Sequence, residues 1–165
     1  PRKLKEEVPL IEEYVIARLK FQDTGDCELL LRKALKKNWD ETLAGLYGLV
    51  KGGNIVRQIQ FAERLLSAHS DDAVLLLSLG RLCKGNSLWG KAKSYLEDSL
   101  AAKPSAEAYQ ELALLLEQQG ESVAAGTYFQ LGLALATAQQ NNNDLPLLES
   151  PDDNDMVVEG ARKVV

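Results

Sequence analysis

The sequence predicts an all-α fold, a solenoid of about four antiparallel helix pairs, and two observations support that prediction. Core-type residues recur at i, i+3, i+4 and i+7, the spacing of one helix face, in two successive segments: Leu76, Leu79, Gly80 and Cys83, then Tyr109, Leu112, Ala113 and Leu116. The units end at the leucines Leu35, Leu66, Leu100 and Leu133. Their spacing of roughly 31–34 residues is typical of helical repeat proteins.

The repeat divides the chain into four units followed by an acidic segment. Each of the last two units has a second helix with its own apolar face, and small residues recur where two helices must approach closely. The predicted units are 7–39, 40–72, 73–105 and 106–138, and the acidic segment is 139–165.

The first two units depart from this regularity. Cys27 and Gln58 stand where a second helix usually has a small alanine, and the segment Gly52-Gly53-Asn54 predicts a turn between two helices. Pro9 and Pro104 are expected at or before helix starts, because proline lacks a backbone donor for the helix interior.

The order of these features resembles the tetratricopeptide repeat (TPR). A small residue between large ones in a first helix, an alanine that opens a second helix and a closing proline recur in units of about 34 residues in that family. The resemblance implies a right-handed superhelix. Its first helices line a concave surface that binds segments of partner proteins.

Counting from the core positions predicts which side chains of the first helices face solvent. A mixture of cations, amides and apolar groups there suits a protein partner. The predicted partner-binding residues are Arg18, Lys51, Leu77, Arg81, Lys84, Gln110, Leu114 and Glu117. Tyr47 and Trp89, by contrast, fall at contacts between paired helices and are expected to pack.

Composition narrows the possible classes of function. A formal net charge of −5 argues against a nucleic-acid partner, because phosphate binding needs clustered Lys and Arg.

Cys27 and Cys83 lack CxxC spacing and are predicted to be small core residues. No apolar run approaches the length of about 18 residues that a membrane span needs. The chain begins at Pro1 without a Met, so we expect an excised domain, with any anchor or targeting segment outside this sequence.

The sequence predicts a non-catalytic protein with no bound metal and no cofactor. Nucleophile-elbow, zincin, P-loop and dinucleotide motifs do not occur in it. Adjacent carboxylates such as Glu12 and Glu13 diverge by about 100° on a helix and cannot act on one substrate. The single histidine, His69, lies in a predicted connection between units, without a second ligand at metal-binding spacing.

The end of the chain is open to more than one interpretation. Residues 123–138 are polar on one narrow strip only, so this last helix needs a cover. Residues 139–144 are expected to break the helix. The segment after them is predicted either to be flexible or to cover the last unit or enter a neighbouring molecule.

Three segments resemble one family more closely. They are LLRKALKKNWD at 30–40, AERLLSAHSDD at 62–72 and RLCKGNSLWGKAKSYLE at 81–97. They are similar to the C-terminal TPR domain of the bacterial HemY family, over residues 1–138. The resemblance implies an inner-membrane protein that is associated with a late step of protoheme biosynthesis and whose domain docks enzymes of the haem pathway. For the domain, the cytoplasmic side of the membrane is favoured over the periplasmic side, and the sequence does not decide between them.

Two alternatives stand beside the docking of enzymes. In the first, the domain itself binds haem or a porphyrin, with His69 or a cysteine as axial ligand and nearby Lys and Arg for the propionates. In the second, the domain forms a homo-oligomer through its last helix or the segment that follows it.

Overall fold

The computed structural model describes residues 2–143, and the side chains of residues 7–140. This part of the chain holds eight α-helices and no strand, so the predicted all-α class is confirmed. The helices are α1 (Arg2–Lys20), α2 (Cys27–Lys37), α3 (Glu41–Tyr47), α4 (Ile55–Leu66), α5 (Ala73–Gly85), α6 (Trp89–Ala102), α7 (Ala106–Gln118) and α8 (Ser122–Asn143). The predicted acidic segment lies outside the described residues from position 144 onwards.

The helices stack as a solenoid. The first helices α1, α3, α5 and α7 adjoin one another in chain order, and each second helix packs on the first helix of the next unit. The most extensive contacts are those of α5 with α6 and of α7 with α8, whereas the short α3 packs mainly on α2 and α5. The second unit is therefore the least regular one, as its sequence suggests. The unit boundaries themselves stay a prediction.

Four helices begin at a side chain that satisfies their first backbone donors. In each, a carboxylate, amide or hydroxyl oxygen accepts a hydrogen bond from the backbone N–H three residues later, which stabilises a helix start by about 1 kcal/mol. These N-caps are Asp40 for α3, Asn54 for α4, Asp72 for α5 and Ser105 for α7. The predicted turn at Gly52-Gly53-Asn54 accordingly ends where α4 begins.

Small residues allow the helices to approach closely at two points. A Cβ atom on Gly80 would lie 2.6 Å from Leu96 Cδ2 in the paired helix α6, which confirms that Gly80 is small because of packing. A Cβ atom on Gly48 would lie 2.6 Å from Ser78 Cα in α5. Both distances are shorter than a van der Waals contact, so a larger side chain forces the helices apart.

The core contains most of the residues that the packing pattern assigns to it, but Leu133 at the end of the last unit is 67% exposed. Cys27 and Cys83 are free and fully buried, as predicted, and burial raises the pKa of the Cys83 thiol to about 11. Tyr47 is buried edge-on against Phe61, with ring centroids 5.4 Å apart. Trp89 is only partly packed, since 39% of its surface stays exposed.

Two expectations about helix ends are wrong. Pro9 lies inside α1 instead of before a helix start. It is exposed, so water can hydrate the carbonyl that a proline leaves without a partner. The helix break expected after residue 138 is also not observed, because α8 continues to Asn143. Adding residues to an existing helix costs little, and glutamine is a good helix former.

Candidate functional site

The first helix of the last unit, α7, carries a row of exposed side chains. Gln110, Leu114 and Glu117 are exposed and follow one another along α7 at i, i+4 and i+7, which places them on one face. Lys51 is exposed in the loop between α3 and α4, where its backbone N–H donates to Thr24 Oγ1 at 3.3 Å. We call these four residues the inner surface.

Lys51 borders a pocket of about 250 Å³. It lies between the α3–α4 loop and the last turns of α5, and both Lys51 and Arg81 line it. Arg81 in turn contacts α7 through Glu111. The structure therefore brings Lys51 and Arg81 to one pocket, and Arg81 links that pocket to Glu111 of α7.

Arg81 and Lys84 are held by a carboxylate that the sequence interpretation did not single out. Arg81 Nε donates to Glu111 Oε1 at 2.8 Å, and Lys84 Nζ donates to Glu111 Oε2. The exposed fractions of the Arg81, Lys84 and Glu111 side chains are 16%, 19% and 18%. Both cations are thus paired within the protein, and their binding to a partner stays a prediction.

The ion pairs decide the charge of Glu111. Burial alone would raise the pKa of this carboxyl group, but the hydrogen bonds from Lys84 and Arg81 outweigh burial and bring its pKa below the ordinary value. Glu111 is therefore ionised at neutral pH and links α7 to α5 through two charge-assisted hydrogen bonds.

Glu111 has a counterpart one period earlier, at Ser78. The two residues occupy equivalent positions of successive units, and each reaches the first helix of the preceding unit. Ser78 Oγ is buried and donates to the carbonyl oxygen of Ala44 at 2.7 Å. A polar residue at this repeat position, between core residues, was the sequence signal that could have identified Glu111.

Gln58 fixes the loop that carries Lys51. Its amide is buried, and Nε2 donates to the carbonyl oxygens of Tyr47 and Val50 at 3.0 Å each, while Oε1 accepts from Gly52 N at 3.0 Å. The residue that replaces the usual alanine therefore serves as an internal cap for the end of α3. This role explains why the second unit holds together although α3 and α4 share few contacts.

Two other predicted partner-binding residues lie elsewhere in the structure. Leu77 is buried with only 6% of its surface exposed, so its expected position on the solvent side is wrong. The reason is that α5 is packed against α3, α4, α6 and α7. Arg18 belongs to the first unit, where it pairs with Asp23 at 3.0 Å and with Asp26 at 3.2 Å.

His69 stacks on an aromatic ring at the junction of two units. Its imidazole lies on Trp39 with ring centroids 3.9 Å apart and planes inclined by 16°. Within residues 7–140, no group of three or more His, Cys, Asp or Glu side chains could hold a metal ion. Haem ligation by His69 stays a prediction. A haem titration of the His69→Ala variant tests it, since an unchanged Soret shift would contradict ligation.

None of the described helices combines the length and the apolar character needed to cross a membrane.

Comparison with known proteins supports the helical-repeat architecture but identifies neither a family nor a function. Neither a protein-family model nor a curated protein matches the sequence. Among solved structures, the chain is similar to the crystal structure of MamA, with a TM-score of 0.56, 20% sequence identity, and coverage of 85% of this chain and 86% of that one. MamA is an all-helical, TPR-like protein. This chain has a TPR-like fold. At such low identity the similarity shows the fold alone.

Proposed function

We propose that this chain is a non-catalytic protein-interaction domain whose inner surface binds a segment of a partner protein. The observation that carries the proposal is the exposed row on α7. Leu114 keeps 38% of its surface exposed between the amide of Gln110 and the carboxylate of Glu117. An apolar side chain framed by polar ones, on the first helix of a solenoid unit, suits a peptide or helix laid across the repeats.

The charges and the packing of the region support the same proposal. The ion pairs of Glu111 link α5 to α7 beside the row, which favours a surface that is ordered before a partner binds. Lys51 adds an exposed cation at the far side of the pocket. A preorganised surface loses less entropy on binding, and Lys51 suits a carboxylate of the partner.

The partner class is proposed from the resemblance of segments 30–40, 62–72 and 81–97 to the HemY family. On this basis the domain belongs to a HemY-like protein of the inner membrane, and its partners are enzymes of a late step of protoheme biosynthesis. This finer proposal depends on the sequence resemblance, whereas the interaction function depends on the inner surface.

Site-specific photo-cross-linking tests the interaction function. A photo-reactive amino acid at Leu114, in cells that produce the protein, is expected to form cross-links to another protein. The same amino acid at Ser94, exposed on the second helix α6, serves as the matched control. Equal cross-linking at both positions would contradict a binding role of the inner surface.

A charge placed on the row provides the second test. The Leu114→Glu variant is expected to bind the cross-linked partner at least about tenfold more weakly, with Tm changed by no more than about 2 °C because the site is exposed. The identity of the partner then decides the finer proposal. Enzymes of the haem pathway would support a HemY-like role, and other proteins would contradict it while leaving the interaction function in place.

A further inference from the structure

One edge of the described solenoid carries exposed apolar side chains at each of its turns. The turns α1–α2, α3–α4, α5–α6 and α7–α8 lie along this edge, because helices joined by short turns run antiparallel. Neighbouring turns contact one another: Lys51 N donates to Thr24 Oγ1 at 3.3 Å, and Gly52 and Gly85 line the same pocket. The large apolar side chains exposed at these turns, by 39–90%, are those of Phe21, Leu49, Val56, Leu88, Trp89 and Val123. We call these six residues the apolar edge.

The opposite edge of the described solenoid has no such residue. It consists of the connections between units, residues 38–40, 67–72 and 103–105. Neither these connections nor the three residues on each side of them include an exposed large apolar side chain. Trp39 is half-buried there and stacks on His69. Single exposed apolar residues need no explanation, but their presence at four turns of one edge and their absence from the other indicate a function of the first edge.

Leu88 occupies a position at which an apolar residue does not help the fold. It is the N-cap of α6, and its side chain accepts no hydrogen bond from the first turn of that helix. The helices α3, α4, α5 and α7 have Asp, Asn or Ser at this position, the residues that stabilise a helix start. Trp89 follows as the first residue of α6, and both side chains are 39% exposed. The stability of the fold therefore does not explain this pair.

We propose that the apolar edge rests on the surface of a lipid bilayer that contains anionic lipids. A bilayer accepts separate protruding side chains, because lipids rearrange around each of them, whereas a protein partner must supply a matching hollow for each. Aromatic side chains such as Phe21 and Trp89 are favoured at the boundary between lipid headgroups and acyl chains. The contact is peripheral: side chains enter the interface, and the helices stay outside it.

Cations adjoin the apolar edge and suit the charge of such a bilayer. Lys20 and Arg57 are exposed, and each is next in sequence to an apolar residue of the edge. Lys91 is paired within the protein but keeps 59% of its side chain exposed. The carboxylates of the first turn pair with Arg18, and the fourth turn adds one carboxylate, Glu121. Because salt screens the attraction of exposed cations to anionic lipids, we expect binding to weaken as the salt concentration rises.

The two tryptophans of the chain lie on opposite edges and therefore test the proposal with an internal control. The purified full chain is mixed with vesicles of phosphatidylcholine and phosphatidylglycerol whose acyl chains carry bromine, a contact quencher of tryptophan fluorescence. In the Trp39→Phe variant, Trp89 is expected to lose about half of its fluorescence at saturating lipid. In the Trp89→Phe variant, Trp39 should lose less than about a tenth. Equal quenching of both tryptophans, or quenching of neither, would overturn the proposal.

Two variants of the apolar edge measure what it contributes to binding. Phe21→Ser removes a side chain that is 82% exposed, and Leu88→Asn supplies an N-cap for α6. Each is expected to weaken co-sedimentation with the same vesicles at least about fivefold without lowering Tm. The matched control is Leu10→Ser, which removes a side chain that is 71% exposed on α1, away from the turns, and should bind as the parent does. Unchanged binding of Phe21→Ser, or an equal loss in Leu10→Ser, would contradict the contact.

Photo-cross-linking distinguishes a bilayer from a protein at this edge. A photo-reactive amino acid at Phe21, in cells that produce the protein, is expected to cross-link to lipid. Cross-linking to a protein in place of lipid would overturn the proposal and make the edge a protein interface. The vesicle measurements need no partner protein, so this proposal and the proposed function of the inner surface can fail independently of each other.

Discussion

Gln58 shows how one buried polar side chain can replace a small apolar one in a repeat. Its amide makes three hydrogen bonds to the backbone at the end of α3 and in the following loop. The sequence identifies the position as unusual, since an alanine is expected there. It does not reveal the partners, because they are backbone groups whose positions depend on where α3 ends.

Replacement of Gln58 by Ala is expected to lower the free energy of unfolding by about 2–4 kcal/mol, because two buried backbone carbonyls and the part-buried N–H of Gly52 lose their partner. Gln60→Ala, an exposed position on the same helix, is the control and should change stability by less than about 0.5 kcal/mol. Urea denaturation of both variants measures the difference. Similar midpoints for the two would contradict the capping role of Gln58.

Glu111 makes stability depend on pH. Its pKa is lowered in the folded protein, so its stabilising effect is present at pH values above the unfolded pKa of about 4.3 and is lost as pH falls through the folded pKa. Glu111→Gln is expected to lower the free energy of unfolding by about 2 kcal/mol at pH 7. In this variant the free energy of unfolding should also decrease less as the pH is lowered. Glu97→Gln, exposed on α6, should retain the wild-type pH profile, and an unchanged profile in both variants would rule out the ion pairs as its source.

At the scale of helices, close approach between neighbours is the property that the sequence encodes most directly. Gly80 is recognisable because a small residue stands between large ones at helix spacing, and the structure places it against Leu96. Gly48 is not recognisable in this way, because it belongs to the irregular second unit and its partner Ser78 lies in the next one.

Two glycine-to-alanine variants separate the effect of packing from that of helix propensity. Gly48→Ala is expected to destabilise by about 2–3 kcal/mol, since its Cβ would meet the backbone of Ser78. Gly90→Ala, at an exposed position of α6 with no atom near the added Cβ, should instead stabilise by about 0.5–1 kcal/mol. Chemical denaturation measures both. The same sign of change in the two variants would contradict the close contact of α3 with α5.

At the scale of the whole molecule, the described helices form a stack in which each unit contacts mainly its neighbours. Opening is therefore expected to cost least at an end and most in the middle. The two buried thiols report separately on the end and on the middle of the stack. Cys27 is the first residue of α2 in the first unit, and Cys83 lies in the central helix α5.

Thiol labelling at pH 8 measures how much more readily the end of the stack opens than its middle. In the Cys83→Ala variant, the remaining Cys27 is expected to react at least about tenfold faster than Cys83 does in the Cys27→Ala variant, because the end unit opens without the rest. Burial raises the pKa of both thiols, so neither should react at the rate of a free thiol. Equal rates would indicate that the stack opens as one cooperative unit.

The overall architecture could be predicted from the sequence, whereas the contacts of its surface could not. Periodic core positions determine helix pairing, since they follow from local geometry. The pairing of Arg81 and Lys84 with Glu111, and the burial of Leu77, depend on which neighbouring helix packs against α5. Such contacts form between one unit and the next, so the pattern within one helix does not specify them. Comparison of equivalent positions, such as Ser78 and Glu111, indicates only where a polar contact is placed.

The equivalence of Ser78 and Glu111 gives the units a fixed order. If residues 73–105 were duplicated in tandem, Arg81 and Lys84 of the first copy would face Ser78 of the second where they now face Glu111. Two largely buried cations would then lack a carboxylate, a costly arrangement. We expect such an elongated chain to melt higher when Ser78 of the second copy is changed to Glu than when it is retained, and equal melting temperatures would refute this. The helices are interchangeable in shape, but the charges between them specify which unit follows which.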